Sequence, residues 1–144
     1  MNTLISFFVA LMIAGGAFAT TDFDPEGAVS FAAGTAYKAR QAKDLAEDYI
    51  DQDGRSFDLA KSVRLLRSLN YESLAMVEIL ETDGSEEAAR QQLEVVKEVY
   101  YQFDAVKRKL SRTYRRDREF RAVFGAIRPK FFGLHKAITG DYGR

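Results

Sequence analysis

Lys107, Arg108, Lys109, Arg112, Arg115, Arg116, Arg118 and Arg121 fall within four turns' length of helix, with Tyr114 and Phe120 between them. No other stretch of the chain concentrates functional groups so densely. The formal net charge is zero, but it hides a division. From Met1 to Val106 there are nine Lys and Arg against eighteen Asp and Glu; from Lys107 to Arg144 there are twelve against three. A dense cationic run raises the local concentration of anions and suits a lipid head-group layer, lipopolysaccharide or an acidic protein. The candidate contacts are Arg108, Arg112, Arg115, Arg116 and Arg118 for charge, and Phe120, Phe124 and Phe131 for apolar contact. The competing reading is a set of solvated faces, neutralised inside the fold by the acidic first helix.

Other constellations carry less. His135 is the single histidine, and Met76 is the one methionine downstream of the N-terminal segment. On facing helices of an up-and-down bundle, this pair would lie near the same end and could ligate haem b, which is the alternative function. Without that alternative, no cofactor is expected. Asp51, Asp53, Gly54 and Asp58 suggest a calcium loop, but with Gly54 in the glycine place the ligand positions fall on Tyr49 and Ala60. A metal site of the histidine type cannot be built from one His. The chain also lacks a G-x-S-x-G, an H-E-x-x-H and a glycine-rich phosphate loop, so an enzyme is not expected. Glu47 and Asp51 share a helix face, yet paired acids do no acid–base work until something desolvates them. Tyr100, Tyr101 and Phe103, with Phe131 and Phe132, could line a groove, although aromatics at these spacings serve more often as core.

These groups are expected in an exported protein. Leu4 to Ala14 form an apolar run, Gly15 and Gly16 break it, and Ala17, Phe18, Ala19 supply a small-x-small cleavage site. That pattern reads as a secretory signal over 1–19 followed by one domain over 20–144, although the leader carries no Lys or Arg. The chain has no Cys, which excludes a disulfide framework, an iron–sulfur cluster and a thiol nucleophile, and fits the periplasm better than a disulfide-dense secreted domain. Nucleic acid is the weakest choice of partner for an exported chain without a recognition motif.

The elements that must position the basic run are helical throughout. Asp24, Pro25 and Glu26 open a first helix, along which Ala28, Ala32, Ala36, Ala39, Ala42, Ala46 and Tyr49 recur at steps of three and four. Asp53-Gly54 ends it. Ser56 caps a second helix carrying Leu59, Val63, Leu66, Leu69, Met76 and Leu80, with a local bend expected at Asn70 and Ser73. Asp83-Gly84 stops the second helix, and Ser85, Glu86 and Glu87 start a third. Its seam runs Ala89, Leu93, Val96, Tyr100, Phe103, Lys107, Leu110, Tyr114, with one polar position.

Beyond Arg115–Glu119 a new stripe of Phe120, Phe124, Ile127, Phe131 and Leu134 lies roughly 100° around a continuous helix from the earlier seam. The chain must therefore turn near Asp117 and fold a fourth helix back, or project one long helix whose stripe pairs with a partner or, in a homodimer, a second copy. Five large apolar residues in water favour the fold-back, with Pro129 kinking or restarting the helix and a loose end from Thr139. The sequence thus predicts an all-α, antiparallel up-down bundle: three long helices plus a folded-back C-terminal helix. Its function is expected to be binding through the basic, aromatic segment, and passive self-association is a further alternative.

Overall fold

The computed structural model describes residues 22–143; the expected signal over 1–19 lies outside the described residues. Five helices follow in order: α1 Pro25–Asp53, α2 Phe57–Thr82, α3 Glu86–Thr113, α4 Arg118–Gly125 and α5 Ile127–Thr139. A helix leaves its first backbone N–H groups without partners, and a short oxygen-bearing side chain satisfies one of them. Here Asp24 accepts from the Gly27 N–H at 2.9 Å, Ser56 from Leu59 at 3.1 Å, Ser85 from Ala88 at 3.1 Å and Asp117 from Phe120 at 3.0 Å. Gly54 closes α1 at a φ of 86°, which a side chain would disfavour, with its N–H on the Ile50 carbonyl.

α1, α2, α3 and the α4–α5 arm alternate in direction and close a four-helix bundle. Contacts across each neighbouring pair fix the arrangement. Asn70 donates to the Ala36 carbonyl at 2.8 Å between α2 and α1, and Gln92 donates to the Glu72 carbonyl at 3.0 Å between α3 and α2. The Tyr100 ring of α3 stacks on Phe131 of α5 with centroids 3.9 Å apart. The Asp24 N–H reaches the Ala137 carbonyl at 2.7 Å, joining the start of α1 to the end of α5.

The alanine face of α1 is fully inside: Ala28, Ala32, Ala36, Ala39, Ala42 and Ala46 are at most 2% exposed. Small side chains let helices approach closely, and both α2 and α5 pack along this helix. On the α5 side Gly133 lies directly against the Phe31 ring, where a Cβ would have no room. α2 runs unbroken through Asn70 and Ser73, and Asn70 ties it to the α1 backbone. Ser73 keeps a buried hydroxyl with no partner among the described residues.

The interruption expected from Pro129 is present, and the loose end expected from Thr139 onward is corrected by the structure. The kink falls at Gly125–Ala126, one turn before Pro129. The reason is steric: the Pro129 ring lacks the N–H that would bond the Gly125 carbonyl and crowds that oxygen, so the helix must break there. The C-terminal end is docked through Gly143 rather than loose. Gly140 turns the chain at φ 76°, the Asp141 carbonyl lies 2.6 Å from His135 Nδ1, and Tyr101 donates to the Gly143 carbonyl at 3.3 Å.

Candidate functional site

The reversal between α3 and α4 carries the basic run, and its geometry begins with two aspartates. Asp117 bonds the Phe120 N–H through one carboxylate oxygen and accepts the Tyr49 hydroxyl at 2.7 Å on the other. Tyr114 donates to Asp53 at 3.0 Å, and its ring stacks on Tyr49 with centroids 4.3 Å apart. Phe120 lies against Tyr114 at 5.4 Å and Phe124 at 4.4 Å, carrying the stack into the core. The end of α1, the end of α3 and the start of α4 are thereby clamped to one another.

The clamp leaves its mark on proton affinities. The Phe120 N–H, then the Tyr49 hydroxyl, hold the Asp117 carboxyl below its ordinary value of 3.8. Burial, followed by the Asp117 hydrogen bond, raises Tyr49 well above its ordinary value of 10. Burial and the bond to Asp53 push Tyr114 up to about 12.

Around this clamp Arg112, Arg115, Arg116, Arg118 and Arg121 are all exposed. Among the described residues none of them forms an ion pair. Arg108 does, at 3.0 Å from Asp104, a carboxylate that Lys107 also reaches at 3.5 Å. Asp51 and Asp53 of α1 lie at the same end, but no described ion pair joins them to these arginines. Glu47 pairs with Lys43 and Arg67, and Asp44 with Lys43. Direct neutralisation of the basic run by the first helix, the competing expectation, is absent from the described ion pairs.

The apolar half of the candidate surface is corrected. Phe120, Phe124 and Phe131 are at most 2% exposed, because the fold-back turns their stripe inward against α1 and α3. They support the arginines and cannot touch a partner. Phe124 is likewise closed to the self-associating arrangement that a projecting helix would have offered. Tyr100 and Phe103 are core as well, and Tyr101 stays partly exposed.

Met76 and His135 sit toward the opposite end of the bundle from the clamp, both buried. His135 Nδ1 faces the Asp141 carbonyl and Thr139 Oγ1, and Gly143 lies close to Nε2, so both edges of the ring face the docked C-terminal turn. Nδ1 is thus engaged within the turn, and Gly143 lies beside Nε2. Among the described residues no group of three His, Asp or Glu side chains gathers as a metal site. A groove of about 610 Å³ runs between the start of α1 and α5, edged by Asp24, Phe31, Gly133 and Tyr142, and neither Met76 nor His135 lines it.

Sequence reasoning missed two parts of the basic end. The first is the Tyr49–Asp117 and Tyr114–Asp53 bonds, which join residues 68 and 61 positions apart. The second is the α1–α2 connection, where Arg55, Phe57 and Arg64 border one shallow depression and Phe57 is 73% exposed. A large apolar residue at the first position of a helix, directly after a cap, was the available signal. No protein-family model, curated protein or solved structure matches the chain.

Proposed function

We propose that the chain is an exported, periplasmic helical-bundle binding protein that holds an anionic partner at its arginine-rich α3–α4 end. One observation carries the reading: four arginines, Arg112, Arg115, Arg116 and Arg118, stand exposed and without ion-pair partners among the described residues, around a turn clamped by two tyrosine–aspartate bonds. Arginines held on a fixed backbone lose less freedom on binding than arginines on a loose tail, so their charge is available at lower entropic cost. Support for export comes from the leader pattern of residues 4–19, and support for the periplasm from the absence of cysteine.

The test is retention on an immobilised polyanion as salt is raised. Changing Arg112, Arg115 and Arg116 together to Gln should lower the eluting salt concentration and flatten the dependence of affinity on salt. Unchanged elution would remove the basis for the reading.

A further inference from the structure

Two connections, not one, meet at the basic end. The Tyr114–Asp53 bond and the Tyr49–Tyr114 stack bring the α1–α2 connection beside the α3–α4 turn. Arg55 therefore shares an end with Arg115 and Arg116, and Arg64 stands two turns into α2. Between Arg55 and Arg64 Phe57 projects, 73% exposed and the most exposed of the large apolar side chains described. Asp51, Asp53, Asp58, Asp117 and Glu119 also lie at this end, five acids against the seven arginines Arg55, Arg64, Arg112, Arg115, Arg116, Arg118 and Arg121, and Asp53 and Asp117 accept the two tyrosine hydroxyls. The other end is acidic: Glu81, Asp83, Glu86 and Glu87 surround the α2–α3 connection, and Asp22, Asp24 and Glu26 lie at the start of α1.

From this layout we infer that the bundle docks end-on to an anionic phospholipid bilayer, its arginines among the head groups and Phe57 inserted as an apolar wedge. The inference rests on the anion-binding reading and adds to it a partner and a second connection. Charge complementarity selects the partner. A molecule positive at one end and negative at the other aligns with its axis along the field, and a flat anionic plane engages the whole positive end at once. An acidic protein would satisfy the arginines but would give Phe57 no apolar layer to enter. An aromatic side chain flanked by cations suits the boundary of head groups and acyl chains, where its ring is buried and the charges stay hydrated. Binding of this kind is peripheral, and no described helix is long and apolar enough to cross a membrane.

The chain contains no Trp, so Phe57→Trp provides a single fluorescent reporter. The full chain would be mixed with phosphatidylcholine vesicles, with and without phosphatidylglycerol, and separately with soluble polyglutamate. The expected result is co-sedimentation with the vesicles that contain phosphatidylglycerol and not with the others. On those vesicles the Phe57→Trp variant should show a blue-shifted emission that acyl-brominated lipid quenches. Phe57→Ser should weaken vesicle binding about tenfold, as partial burial of an aromatic ring implies, while leaving polyglutamate binding unchanged. If polyglutamate is bound but Phe57→Trp is not quenched and Phe57→Ser has no effect on vesicles, the bilayer inference is overturned and the anion-binding reading survives with an acidic macromolecule as partner. If the unaltered chain binds neither probe, both fall.

Discussion

Tyr49 and Asp117 form the contact on which the basic end depends. Removing the hydroxyl in Tyr49→Phe leaves the ring stacked on Tyr114 but strips a bond from a charged acceptor, so the melting temperature should fall by about 5 °C. Arg116→Gln, at an exposed position without an ion pair among the described residues, should change stability by no more than about 0.5 kcal/mol in urea unfolding, and Phe131→Ala should cost about 3–5 kcal/mol. That contrast separates the arginines, which are exposed, from the phenylalanines, which hold the fold. The phenylalanines were legible as an apolar stripe, but what that stripe met was not, since its spacing is the same whether it faces a core or a partner. Asp117 was harder to see because it sits among Arg115, Arg116, Arg118 and Glu119, where a helix cap looks like one more charge.

At the scale of elements, the helices and their starts followed from local chemistry. Asp24, Ser56 and Ser85 cap the helices they were expected to cap, because a cap needs only its own first turn. The fold-back required more, since the turn at Tyr114–Asp117 uses no Gly, Pro or Asn and is held by Tyr49 from another helix. The position of the break in the α4–α5 arm depends on the carbonyl that Pro129 crowds, which lies four residues earlier. Gly133 tests how closely that arm approaches α1. In an isolated helix Gly133→Ala would gain about 1 kcal/mol, but here the added Cβ meets the Phe31 ring, so melting should show destabilisation. In a Phe31→Ala background the same substitution should become stabilising.

For the whole molecule, alkaline pH offers a second probe of the clamp. Tyr100 and Tyr114 are pushed up to about 12 and Tyr49 is raised as well, in each case chiefly by burial. A raised value means that the folded state favours the protonated phenol. Their contribution is therefore whole below pH 10 and is lost as the pH rises through about 12, so circular dichroism should record unfolding in that window. Asp117 works in the opposite direction: its contribution is whole above pH 3.8 and is lost as the pH falls through its lowered value. The separation of charge along the bundle axis needs the topology as well as the composition. An acidic and a basic half are visible in the sequence; the antiparallel run of α1, α2 and α3 carries the arginine turn to the end away from Asp24 and Asp83, and the fold-back makes that turn the tip of the bundle. That placement is the central claim, and because the chain has no cysteine, two spin labels can be introduced without interference. With labels at Ser30→Cys and Lys136→Cys, electron-electron dipolar spectroscopy should give a separation within about 20 Å, as neighbouring antiparallel helices require. A distance of roughly 60 Å, which a helix continuing past Asp117 would produce at about 1.5 Å per residue, would contradict the account.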